Sequence, residues 1–103
     1  MNLNPNVLAF IIEKAKSRES VYGKFFPKDC QESIEIFDEL DSLLEEELQP
    51  IVVIFLLGKR KYTSRAEAEI HAKVTVSNAV EAIAFDPDLP STLSDGYNIW
   101  QKG

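Results

Sequence analysis

The sequence predicts an all-α single domain of four to five helices packed round a short buried central helix at about 48–57. Three observations predict it. The chain has 103 residues, 45% hydrophobic and 27% charged, the size and composition of one globular domain with a core of its own. Apolar residues recur three and four apart in three separate segments, the spacing of one helix face. Between them lies the run IVVIFLL, bounded by Pro50 and Gly58.

Asn4 followed by Pro5 is a helix start, because Asn caps free N–H groups and Pro suits the first helical position. Val7, Leu8, Ile11, Ile12 and Ala15 then place a helix over about 5–17, with Phe10 off the stripe. Residues 18–31, RESVYGKFFPKDCQ, break the period. Gly23 and Pro27 punctuate them, and Val21, Tyr22, Phe25 and Phe26 read as side chains that pin an ordered loop to the core, with room for a short strand or helical turn. A second helix begins at or just before Ser33. Ile34, Phe37, Leu40, Leu44 and Leu48 form its apolar stripe, and Asp38, Asp41, Glu45 and Glu46 lie between them.

The apolar run is rich in β-branched residues, which favours a strand. Its flanks favour a helix: acids at 45–47 precede it, Gly58 is placed to cap it, and Lys59, Arg60 and Lys61 follow where cations suit the negative end of the dipole. A strand would also lack a partner in this chain. The helix reading sets a break near Gln49 and Pro50. Ser64 and Glu67 form a capping box that opens the fourth helix. Ala66, Ile70, Val74, Ser77, Val80, Ile83 and Ala84 trace its predicted buried face, and it ends before Asp86–Pro87. A last short helix starts near Pro90 and carries Leu93, with Asp95–Gly96 read as a turn before Tyr97, Ile99 and Trp100.

Charge narrows the function. The net charge is -6, unfavourable for a general nucleic-acid binder. Residues 29–58 hold nine acids and no Lys or Arg, and the cations Lys59, Arg60, Lys61 and Arg65 follow at once. The expected surface is mostly negative with one compact positive patch. The longest apolar run has seven residues, against roughly 18 for a membrane span. No basic residue precedes the first apolar segment and no small-residue cleavage site follows it, so no signal peptide is expected. Cys30 is the one cysteine, which excludes an intrachain disulfide or thiolate cluster and fits a reducing cytoplasm.

The order of features resembles a family of small, uncharacterised bacterial proteins of unknown function. The shared pieces are the "LNP.....II.KA" helix at 3–15, the acidic helix leading to the apolar "FLLGKR" block, the His71-x-x-x-Thr75 helix and the proline–leucine segment at 86–93. Leu57 and Lys61 depart from that family's tryptophan–leucine–glycine–arginine–glycine block. The resemblance implies an all-helical domain and no known activity.

No P-loop, dinucleotide fingerprint, His-Glu-x-x-His or nucleophile elbow occurs, so no catalytic residue, metal ligand or cofactor is assigned. Lys59, Arg60, Lys61, Tyr62 and Arg65 form a candidate anion site beside free N–H groups at a helix start. The competing reading makes them helix caps and ion-pair partners. Four cations fall short of the about 6–10 phosphate contacts typical of a committed nucleic-acid binder. His71 is the only histidine, with Glu67 four residues before it as an acid–base partner or, more plainly, a surface imidazole. Asp38, Asp41 and Glu45 share a helix face, a weak cation site or a solvated surface. Tyr97 and Trp100 are interface candidates, or else dock on the chain's own core. The favoured function is a small protein–protein interaction or regulatory module, with a homodimer as one form. The alternatives are an anion or nucleic-acid binder through the patch and an enzyme using His71.

Overall fold

Among the described residues five helices follow one another: α1 (Pro5–Tyr22), α2 (Gln31–Asp41), α3 (Glu45–Gly58), α4 (Arg65–Ala84) and α5 (Leu89–Lys102). The structure, a computed structural model, describes residues 2–102, the side chain of Ser77 excepted. Among the described residues there is no strand. The radius of gyration, 12.6 Å, matches the about 13 Å of a single packed domain of 100 residues.

The apolar run is helical and central, as expected. In α3, Leu48, every residue from Pro50 to Phe55, and Leu57 are buried. Its most extensive contacts are with α5 and then α4, while α1 pairs with α2 and reaches α5, and α2 reaches α4. The helices that cover it most are therefore the last two. The last helix is the hub's chief neighbour.

That neighbour is longer than the sequence reading allowed. α5 runs straight through Asp95–Gly96, read as a turn. Leu89, Thr92, Leu93, Gly96 and Trp100 form its buried stripe. Gly96 is needed for contact rather than for bending. A methyl group there would land on the Ile54 carbonyl, and one on Gly58 would land on the Thr92 carbonyl. The two glycines let α3 and α5 cross backbone to backbone.

Gly58 is thus not the cap of α3. The cap is a Schellman motif one step later. The Arg60 N–H donates to the Leu57 carbonyl at 3.0 Å and the Lys61 N–H to the Leu56 carbonyl at 3.3 Å, the paired bonds that close such an end. The left-handed position falls on Arg60, with φ 59°, where glycine is the usual occupant.

The break before α3 also lies elsewhere. α2 stops at Asp41, and α3 starts at Glu45 rather than near Pro50. Three acids then occupy the first turn of α3, where the dipole favours them. The Glu47 carboxylate accepts the Leu44 N–H at 2.9 Å, half of a capping box. Pro50 sits in the second turn, where the Glu46 carbonyl it leaves unbonded belongs to an exposed residue. Leu44, expected on the second helix's stripe, precedes α3 and is 63% exposed.

α4 begins at the Ser64 cap, whose hydroxyl accepts the Glu67 N–H at 3.3 Å. Its buried face is the alanine face: Ala68, Ala72, Val76, Ala79, Val80, Ile83 and Ala84. Small side chains there let the broad α3 approach. The predicted face was half wrong, because Ile70 (67%) and Val74 (78%) are exposed, as is Ala66. The predicted place of Ser77 on that face lies outside the described residues.

α1 continues to Tyr22, a full turn past its predicted end. The buried stripe Ile11, Ala15 is carried on by Arg18, 1% exposed. Gly23, with φ 69°, ends the helix, its N–H bonded to the Glu19 carbonyl at 2.8 Å. Arg18 Nη1 donates to Ser33 Oγ at 2.9 Å and to the Ala84 carbonyl at 2.6 Å, and Nη2 donates to the Asp86 carbonyl at 2.9 Å. One guanidinium thus ties α1 to the start of α2 and caps the end of α4. Burial pushes its pKa below the usual arginine range. Cys30 is buried beside it, with its thiol donating to Ser33 Oγ at 3.2 Å.

Candidate functional site

Three of the five predicted anion-site residues are engaged elsewhere. Lys59 Nζ donates to the buried Asp86 carboxylate at 2.6 Å. Arg65 donates to Glu69 at 3.0 Å and to the Trp100 carbonyl at 3.2 Å, with its guanidinium 3.5 Å over the Trp100 ring. The Tyr62 ring stacks on His71 at 4.4 Å between centroids. Arg60 and Lys61 are exposed and form no salt bridge among the described residues. Of the four cations in the expected patch, Lys59 and Arg65 thus face carboxylates, and Arg60 and Lys61 do not.

His71 is exposed. Among the described residues its imidazole forms no hydrogen bond or salt bridge with Glu67, and its ring stacks on Tyr62 instead. Asp38 and Asp41 lie on α2 but Glu45 opens α3, so the shared face expected for these acids does not exist. Among the described residues no group of three His, Cys, Asp or Glu is placed to hold a metal. Trp100 is buried against the chain's own core. Tyr97 is half-buried beside it, in a shallow recess shared with Leu3, Pro5 and Arg65.

The conspicuous surface is at the other end, around the loop between α1 and α2. Phe25 was expected to pin this loop to the core, yet it is 95% exposed. Val21 and Tyr22 are exposed as well. Only Phe26 turns inward, lying 3.6 Å from the Arg18 guanidinium over its ring. Lys24 ties the loop down through Glu19 at 3.2 Å and Asp88 at 2.9 Å. Phe25 therefore projects from an anchored loop.

Beside it the apolar surface continues. Phe25, Phe26, Pro27, Phe85 and Pro87 line one shallow recess. A second recess of about 430 Å³ adjoins it through Lys28 and Phe85, with Ile34 and Phe37 in its wall and Ser33 beneath. The Phe37 and Phe85 rings stack at 6.3 Å and 23°, joining α2 to the end of α4. Ile34 is 42% exposed, because the buried stripe of α2 runs through Ser33, Ile36 and Leu40 instead. Lys28 reaches over the Phe85 ring at 5.6 Å. Asp29, Asp38 and Glu81 rim this recess.

Sequence reasoning missed this surface. The one available signal was the Phe25–Phe26 pair: adjacent side chains in an irregular segment rarely face the same way, so one of the two was poised to point outward.

In comparisons with known proteins, the chain matches no family model, no curated protein and no solved structure. No helix among the described residues is long and apolar enough to cross a membrane.

Proposed function

We propose that this chain is a cytoplasmic protein-interaction module that engages a partner through Phe25 and the adjoining Ile34–Phe37–Phe85 surface. The supporting observation is the 95% exposure of Phe25 on a loop held by two ion pairs. Contiguous exposed apolar surface marks interaction sites. A second copy of the chain is one form of partner, and the exposed Ile70–Val74 stripe of α4 suits self-association. The resemblance to an all-helical bacterial family belongs to the same proposal and adds no activity.

A photo-cross-linking amino acid placed at Phe25 tests the reading in the native host. A discrete adduct from position 25, absent from the exposed position Ala9 on α1, is expected. Equal products from both positions, or none, refute it. Sedimentation of the purified protein over a concentration series distinguishes a second copy from a different partner. Burying one Phe side chain contributes about 1.5–3 kcal/mol, so Phe25→Ser weakens the contact roughly 10- to 100-fold while leaving stability within about 0.5 kcal/mol.

A second reading rests on Arg60. A non-glycine residue at φ 59° costs about 1 kcal/mol, and a cation at that strained position, next to Lys61, which forms no salt bridge among the described residues, fits a weak anion site. Thermal shifts with phosphate esters that vanish in Arg60→Ala and Lys61→Ala would carry that reading.

A further inference from the structure

We infer that the recess between α2 and the end of α4 receives a basic amphipathic segment of the partner: one large apolar side chain set over Phe37 and Phe85, flanked by Lys or Arg. This rests on the interaction reading above and assigns the chemistry of the occupant.

The argument is charge complementarity. The recess floor is apolar, with Ile34, Phe37 and Phe85 presenting their side chains. Its rim carries three carboxylates, Asp29, Asp38 and Glu81, against one cation, Lys28. All three acids are exposed, and none forms a salt bridge among the described residues. Lys28 leans over the Phe85 ring instead of neutralising them. Acids of the same helix, Glu32 and Glu39, extend the negative field, whereas Glu35 is matched by Lys14 at 2.7 Å. An acidic segment entering here meets uncompensated repulsion and a neutral one gains nothing from the rim, while a basic one gains three partners at the edge of an apolar seat. Such edge charges set on-rate and specificity, and the apolar anchor supplies the affinity. The dimensions allow it: about 430 Å³ of open recess has room for a large apolar side chain such as Leu, Phe or Trp.

The test uses the full chain and three labelled synthetic peptides: an amphipathic helix of leucine and lysine, the same helix with glutamate for lysine, and a polar lysine–serine peptide. Anisotropy measures affinity, and amide shift mapping locates the contact. The leucine–lysine peptide is expected to bind with shifts confined to 25–38 and 81–87. At least tenfold weaker binding is expected in Ile34→Ser and in the double variant Asp38→Lys, Glu81→Lys, all at exposed positions that leave the fold intact. Raised salt weakens the binding further. Equal binding by the lysine–serine peptide, equal binding by the charge-reversed variant, or shifts on the acidic start of α3 overturn the proposal, as does binding of the glutamate peptide in this recess. The cross-link from position 25 is read separately. An adduct there with no leucine–lysine binding rejects the basic occupant and keeps the interaction surface.

Discussion

Replacing Arg18 by Met tests the central polar tie of the fold. Met keeps most of the side chain's length and apolar bulk, so little cavity opens and the change is chiefly the loss of the guanidinium. Three bonds go. Ser33 Oγ still receives the Cys30 thiol, and the Asp86 carbonyl still accepts the Leu89 N–H at 3.3 Å. The Ala84 carbonyl, at the end of α4, loses its 2.6 Å charged donor. An orphaned buried carbonyl costs about 1–3 kcal/mol, and a bond to a charged donor contributes about 1.5–3. The contact with Phe26 adds about 1–2 when shielded from water. Against these stands the relief of burying a cation, visible in the downward displacement of the Arg18 pKa by burial. The balance is a loss of about 2–4 kcal/mol out of a typical 5–15. At about 4–8 °C per kcal/mol for a domain near this size, melting falls by roughly 8–32 °C. Urea unfolding followed by far-ultraviolet circular dichroism measures it. A loss below about 0.5 kcal/mol with an unchanged m value would refute the role assigned to this arginine.

Arg60→Gly relaxes the left-handed cap of α3 and is expected to stabilise by about 1 kcal/mol, read by denaturant midpoint. A destabilised variant would show that the arginine side chain holds something the backbone argument omits. Gly96→Ala forces a methyl group onto the Ile54 carbonyl. Overpacking of about 1–3 kcal/mol exceeds or matches the about 1 kcal/mol of helix propensity gained, so calorimetry should show no stabilisation, and a rise in melting temperature would remove the close crossing. Bonding to Lys14 holds the Glu35 carboxyl below its ordinary 4.5, and bonding to Lys24 holds Asp88 below its ordinary 3.8. Both acids therefore contribute stability that is present above those values and lost as pH falls through the depressed folded ones. A melting-temperature series should fall below about pH 4.5, less steeply in Lys14→Met and Lys24→Met and at high salt.

Local signals carried the reading where the structure is locally determined. Asn4–Pro5 and Ser64–Glu67 are caps satisfied within a few residues, and the helices they open are where the sequence placed them. The apolar run was read correctly as a helix because acids precede it and cations follow it, although Gly58 serves the α5 crossing and not the cap. Errors arose where a residue answers to a distant one. Gly96 resembles a turn until the Ile54 carbonyl is in view. Arg18 breaks an apolar stripe unless the free carbonyls of Ala84 and Asp86 are known. α4 is apolar on two faces, so periodicity could not choose the alanine face over Ile70 and Val74. The break at 42–44 was missed because Pro50 is a louder punctuation mark than the dipole and the Glu47 carboxylate, which set the start of α3. In the candidate site, the basic cluster was legible as sequence, but the commitments of Lys59 to Asp86 and Arg65 to Trp100 were not. Which of Phe25 and Phe26 faces solvent is a tertiary outcome that no local pattern encodes.

The α3–α5 crossing has a bearing on how the polypeptide is made. Synthesis delivers the greasiest helix, α3, before α4 and α5, the two helices that shelter it. Throughout that interval the nascent chain presents unprotected hydrocarbon to the cell, and an early release would leave it so. Premature termination anywhere before Trp100 should therefore produce an aggregation-prone product, not a smaller working domain.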